Sequence, residues 1–143
     1  MLITNHVLGG ALVGLASPGP ASAFGLGVLS HVAMDVIPHW GDPDHSAFLR
    51  VAVVDGLVGL TTMALVTRLT PASRRPRVVA GMVGACFPDS DKPSLLFFGR
   101  SPFPKVVDDF HRDIQTESPR RMPQEFLVAG LQLLVFRRLV AGS

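Results

Sequence analysis

The stretch FLRVAVVDGLVGLTTMALVTRL, residues Phe48–Leu69, decides the fold class of this chain. It holds about 20 consecutive residues that are nearly all apolar, a length typical of a helix that is buried or crosses a bilayer and too long for a strand. Pro71 and Pro76 follow at once and predict that the helix ends before them.

Four further apolar segments surround this one, and clusters of proline and glycine separate them. The five segments are Leu2–Ala16, Ala21–Ile37, Phe48–Leu69, Val78–Phe98 and Phe126–Val140. Their Ala, Leu and Gly content favours helices. Residues 99–123 are polar and contain prolines, so we expect a connecting segment with a short surface helix at Val106–Gln115. We predict one all-α domain, residues 1–143, built as a membrane-embedded bundle of four to five apolar helices.

The composition favours a membrane environment for this bundle. Hydrophobic residues make up 48% of the chain and charged residues 17%, with a mean hydropathy of +0.38. These values are ordinary for a membrane-embedded helical protein and high for a soluble one. Only the third and fourth segments reach about 20 residues, so the others would need tilt or local thinning of the bilayer. A soluble bundle with an unusually apolar surface is the alternative.

Glycines at helical spacing predict close contacts between the helices. They form the patterns Gly9-Gly10-x-x-x-Gly14, Gly56-x-x-Gly59 and Gly81-x-x-Gly84.

The charges predict an orientation in the inner membrane and exclude nucleic acid as a partner. The net charge of +2 is small and the arginines do not form one stripe, which argues against nucleic-acid binding. By the positive-inside rule, Arg68, Arg74, Arg75, Arg77, Arg137 and Arg138 lie on the cytoplasmic side. Alternate crossings then place His6, the His39–His45 loop, Asp89, Asp91 and His111 at the opposite end. Arg120 and Arg121 depart from this rule.

His31 and Asp35 are the first pair of candidate metal ligands. Four residues apart on a helix, they lie on one face one turn from each other, so both reach a single cation. A structural hydrogen bond between them is the alternative. Apolar neighbours such as Val32 and Val36 make an unsatisfied pair costly, which favours metal binding. His39 follows a turn later, after Pro38, and we count it among the candidate ligands.

The stretch Pro88-Asp89-Ser90-Asp91 supplies two more candidate ligands inside an otherwise apolar run. Carboxylates two residues apart between prolines are able to converge on a hard or borderline cation. Alternatively, one of them caps a helix that runs through residues 94–96. Among the other polar residues, Asp55 either accepts a hydrogen bond from a ligating imidazole or stabilises a helix N-terminus. His45, which lies in a loop, is expected to be solvated.

Other common enzyme classes leave no signature in this chain. It contains no Gly-x-Ser-x-Gly elbow, no phosphate-binding Walker loop, no dinucleotide fingerprint after a strand and no His-Glu-x-x-His. These absences argue against a serine hydrolase, a nucleotide-binding enzyme and a zincin protease.

Several motifs occur in a fixed order over residues 4–113. His6 opens an apolar helix, Ser30-His31-x-x-x-Asp35-x-x-Pro38-His39 and Pro88-Asp89-x-Asp91 follow, and His111 comes last. This order resembles the YdjM-like family of bacterial membrane-bound metal-dependent hydrolases, which is distantly similar to zinc-dependent phospholipase C. Longer members of that family carry a His-Arg-Gly-x-Thr-His-Ser run, where this chain has only His111-Arg112-Asp113.

The resemblance implies a divalent metal centre, with zinc as the expected ion, and a hydrolytic reaction. The implied ligands are His6, His31, Asp35, Asp89, Asp91 and His111, with His39 in or beside the site. The expected substrate is a phosphoester, including that of a membrane lipid, attacked by water that the metal activates. Asp91 or Asp55 would be the general base. The alternative is a non-catalytic integral membrane protein whose buried His and Asp groups bind or conduct a cation, or hold helices together.

Overall fold

A computed structural model describes residues 1–142, and over that range the chain is all-α, as predicted. The helices are α1 (Ile3–Ala16), α2 (Pro20–Asp35), α3 (His45–Leu69), α4 (Arg75–Cys86), α5 (Asp91–Phe98), α6 (Lys105–Asp113) and α7 (Met122–Ala141). Short 3₁₀ turns at Pro88–Ser90 and Pro119–Arg121 precede α5 and α7. The predicted surface helix corresponds to α6.

The fourth apolar segment does not form one helix, contrary to the expectation from its length. Helix α4 ends at Cys86, and α5 begins only at Asp91 after the 3₁₀ turn. Pro88 explains the break, since it has no backbone N–H to donate to the carbonyl of Gly84 and its ring crowds that carbonyl. Helix α4 is therefore about 18 Å long, well short of the roughly 30 Å hydrocarbon core of a bilayer.

Glycines hold α4 in close contact with α1 and α2. A methyl group on Gly81 of α4 would overlap the carbonyl oxygen of Gly10 in α1, and one on Gly84 would overlap that of Phe24 in α2. The predicted glycine contacts are thus confirmed for α1 and α4. For Gly56 the prediction is wrong, because nothing lies within 4 Å of the position that its side chain would take.

Helix α3 lies against α1 and leaves most of its apolar side chains uncovered. Val53, Val54, Leu57 and Leu60 are each 57–66% exposed. In the described residues, α3 is the one helix long and apolar enough to cross a membrane. Apolar side chains are also exposed on α7, where Phe126 is 70% exposed.

Basic residues gather at one end of the bundle. Arg75 Nε donates to the carbonyl of Thr70, and Arg77 Nη1 donates to that of Ser17, so the starts and ends of three helices meet there. His6 and Asp35 lie at the far ends of α1 and α2. For Arg75 and Arg77 the predicted separation from the candidate ligands is confirmed, and it follows from the short antiparallel connections.

Candidate metal centre

Asp35, the last residue of α2, is the hub of a buried polar cluster. Its Oδ2 lies 3.0 Å from His31 Nε2 and 3.2 Å from His111 Nε2. Its Oδ1 lies 3.1 Å from His6 Nε2 and 2.8 Å from the nitrogen of Met1. His6, His31 and Asp35 are each 0% exposed. Three helices therefore direct imidazoles at one carboxylate, and the sequence predicted all four of these residues as ligands.

A hydrogen bond at Nδ1 of His31 fixes the orientation of its ring. Nδ1 lies 2.7 Å from the carbonyl oxygen of Ala85 in α4. A carbonyl only accepts, so Nδ1 carries a proton, and the neutral tautomer that has its proton there presents the lone pair of Nε2 to the cluster. Metal-ligating histidines are commonly fixed in this way by a second hydrogen bond to a backbone carbonyl. The contact thus prepares His31 to bind a cation.

Three donor atoms lie close to the separations that a shared cation requires. His31 Nε2 is 3.0 Å from His111 Nε2, and both lie 3.0–3.2 Å from Asp35 Oδ2. Ligands at about 2.0–2.2 Å from a tetrahedral ion are themselves about 3.3–3.6 Å apart, so an ion would move these atoms apart by only a few tenths of an ångström. The distances also require a proton or a metal ion between these atoms, because two imidazole lone pairs and a carboxylate oxygen otherwise repel one another.

His6 adds a buried imidazole whose ring nitrogens have no hydrogen-bond partner among the described residues. Its ring stacks on that of His31 with centroids 4.0 Å apart, and neither ring nitrogen makes a hydrogen bond. The 3.1 Å approach of Nε2 to Asp35 is an ion-pair distance without hydrogen-bond geometry. A buried imidazole without a partner is costly, and metal binding is one way to offset that cost.

Asp89 and Asp91 face the same cluster from the start of α5. Asp89 Oδ1 is 3.6 Å from His111 Nε2, and Asp91 Oδ2 is 3.8 Å from His111 Nδ1. Asp89, Asp91 and His111 are close enough to hold a cation, as are His6, His31 and Asp89. The capping alternative is not observed, since no side-chain hydrogen bond caps α5.

His39 is not brought into this cluster by any contact in the described residues. It is fully buried, with Nδ1 donating to the carbonyl of Ile37 at 2.8 Å and Nε2 3.8 Å from Glu117 Oε1. Its backbone also pairs with Thr116 and Ser118. These contacts fasten the connection after α6 to the end of α2, and metal binding by His39 stays a prediction.

Asp55 serves α1 rather than an imidazole. Its carboxylate accepts hydrogen bonds from the backbone N–H of Ile3 and from Thr4 Oγ1, the latter at 2.6 Å. A carboxylate here satisfies free N–H groups and favours the positive end of the helix dipole. Of the two interpretations of Asp55, the structure supports the helix N-terminus.

Sequence analysis missed two polar residues beside the cluster. Gln115 Nε2 lies 3.0 Å from both Asp35 Oδ2 and His111 Nε2, and its spacing of four from His111 is a signal that helix periodicity offers. Glu125, 1% exposed in α7, accepts hydrogen bonds from Asn5 Nδ2 and Trp40 N. The only sequence signal for Glu125 was its position as a single acidic residue directly before the apolar segment Phe126–Val140.

The carboxylates around His111 favour its protonated form. Asp35 and Asp91, which face its two ring nitrogens, raise the pKa of His111 to about 9, and Asp89 adds to this effect. Burial and the charge of Lys92 oppose it but are weaker. Without a metal, His111 is therefore expected to hold a proton at neutral pH, and a metal ion would have to displace it.

This pKa predicts how the stability of the metal-free protein depends on pH. The pKa of His111 in the folded protein lies above its ordinary value of 6.5. Protonated His111 therefore stabilises the fold fully below pH 6.5, and this contribution is lost as the pH rises to about 9. The loss is at most about 3 kcal/mol. Chemical unfolding in detergent with a chelator, at several pH values, measures it. Between pH 6.5 and about 9, the free energy of unfolding should fall more steeply with pH in wild type than in His111→Gln. Equal pH dependence in the two proteins would contradict the raised pKa of His111.

Comparison with protein-family models, curated proteins and solved structures finds no match to this chain.

Proposed function

We propose that this protein is a membrane-bound hydrolase that depends on a divalent cation, with zinc as the expected ion, and acts on a phosphoester. The observation that carries the proposal is the convergence of His31 Nε2, Asp35 Oδ2 and His111 Nε2 at 3.0–3.2 Å. The tautomer of His31 and the orphaned ring of His6 support the same assignment. Two imidazoles and one carboxylate form a donor set that suits zinc.

The residues around this donor set fit a hydrolytic reaction. When bound, the cation supplies a Lewis acid that polarises a phosphoryl oxygen and makes water more acidic. Asp91 contacts His111 Nδ1 and Lys92 instead of the three converging atoms, so we assign it as proton acceptor. Asp89, whose side chain is 19% exposed, marks the side of the cluster that is open to solvent and substrate.

Exposed apolar surface supports a location in the inner membrane and a lipid phosphoester as substrate. Beyond α3 and α7, the end of α5 exposes Phe97 and Phe98 to 74% and 77%. Helix α5 begins at Asp91, so this apolar end lies about two turns from a carboxylate of the cluster. Insertion of these side chains at a membrane surface would bring lipid headgroups near the centre. The crossing of several helices is part of the proposal.

The test is turnover of a phosphodiester with matched histidine variants. We expect protein purified in detergent to hydrolyse bis(p-nitrophenyl) phosphate or a phospholipid, to lose activity with a chelator, and to regain it with zinc or manganese. His31→Ala should lower the rate more than about 100-fold, because even residues that only support ligands contribute 10–100-fold. His45→Ala, at the exposed start of α3, should leave it unchanged.

The burial of the cluster favours one other function, a non-catalytic cation site. With His6, His31 and Asp35 fully buried, a bound ion would hold α1, α2 and α6 together without meeting a substrate. Metal-loaded protein that stays inert towards both phosphodiesters would support this function and contradict the hydrolase.

A further inference from the structure

Lys92 places an ammonium group between two carboxylates of the proposed centre. Its Nζ is 3.0 Å from Asp91 Oδ2 and 3.7 Å from Asp89 Oδ1. The side chain is 45% exposed, and it bends back over the start of α5 to reach both acids. A surface lysine ordinarily extends into solvent, so this contact calls for an explanation in terms of the charges beneath it.

The donor atoms around His111 define two positions for a cation. Nε2 faces His31 and Asp35, whereas Nδ1 faces Asp91. Asp89, Asp91 and His111 by themselves satisfy the distances for holding an ion. An imidazole presents two separate nitrogens, so His111 is able to serve both positions. The ammonium of Lys92 contacts the carboxylates of the second position.

The charges of the cluster decide how many divalent ions it accepts. At the second position, Asp89 and Asp91 carry two negative charges when ionised, and the ammonium of Lys92 balances one of them. A divalent cation beside that ammonium would leave an excess of one positive charge there, close to the first cation and to the amino group of Met1 that faces Asp35, which is unfavourable in a largely buried site. Without the ammonium, Asp89 and Asp91 would balance the charge of a second divalent cation.

We infer that Lys92 acts as a built-in cation at the second position and limits the centre to one divalent ion per chain. This inference rests on the proposed metal centre. In this role Lys92 excludes a second ion by its charge, without binding the metal and without transferring a proton.

The test is metal stoichiometry, measured by plasma mass spectrometry after equilibration with zinc and removal of free ion. We expect one zinc in wild type and two in Lys92→Met, which keeps the length of the side chain and removes its charge. Lys92→Arg keeps the charge and should bind one. Lys105→Met is the matched control, since Lys105 is 85% exposed and pairs with Asp109 outside the cluster; it should also bind one.

The possible outcomes separate this inference from the proposed function. One zinc in folded Lys92→Met, or two in wild type, would overturn the role of Lys92 while leaving the metal centre intact. No zinc in any variant would overturn the metal centre and the inference together. If Lys92→Met does not fold, Lys92→Gln replaces it, and the wild-type stoichiometry alone still decides whether the centre holds one ion.

Discussion

Asp35→Asn is expected to lower the affinity of the protein for zinc by on the order of 10²–10³-fold. The substitution keeps the shape of the side chain and removes the charge that faces His6, His31 and His111. Loss of one partner from a buried charged cluster costs about 3–5 kcal/mol, and each 1.4 kcal/mol is about tenfold in affinity. Competition with a chromophoric chelator measures the change.

Asp113→Asn provides the matched control for this measurement. Asp113 is the last residue of α6, two positions after His111, and its side chain is 69% exposed and pairs with Arg112. Its removal should leave the zinc affinity within a factor of about two, because exposed ion pairs contribute little. Equal affinities for wild type and Asp35→Asn, with both proteins folded, would exclude Asp35 as a ligand.

Gly81→Ala is expected to destabilise the fold by about 1–3 kcal/mol, the usual cost of overfilling a close-packed core. The added methyl group would overlap the carbonyl oxygen of Gly10 and lie 3.1 Å from the Cα of Gly14. Both neighbours are backbone atoms, so α1 and α4 would have to move apart. Thermal unfolding should register a loss of about 3–4 °C per kcal/mol for a chain of this size.

Gly56→Ala should act in the opposite direction. Gly56 lies within α3, and its missing side chain would meet nothing within 4 Å. Alanine in a helix interior is favoured over glycine by about 0.5–1 kcal/mol, so the melting temperature should rise slightly. Equal melting temperatures for the two variants would contradict the close contact between α1 and α4.

Local signals in the sequence predicted the helices well. Pro71 predicts where α3 ends, because a proline has no N–H to continue the hydrogen bonds of a helix. The length of an apolar run was a poorer guide, since Val78–Phe98 divides at Pro88 into two helices, neither of which has the length of a membrane span. Which helices contact lipid depends on tertiary packing, which no local pattern encodes.

Helix periodicity predicts only the part of the site whose residues share a helix. His31 and Asp35 are four residues apart, and helix periodicity alone puts them together. His111 reaches Asp35 across 76 residues, and its buried position depends on how α6 packs against the end of α2 and the start of α5. The roles of Lys92 and Gln115 likewise required the three-dimensional positions of the carboxylates that they contact.

The central claim is that His31, Asp35 and His111 hold a divalent cation. X-ray absorption at the zinc edge, on zinc-loaded protein in detergent, tests it most directly. We predict nitrogen and oxygen neighbours at about 2.0–2.2 Å with outer-shell scattering from at least two imidazoles, and loss of one imidazole contribution in His111→Gln. Zinc surrounded by water oxygens alone, or an unchanged spectrum in His111→Gln, would contradict the claim.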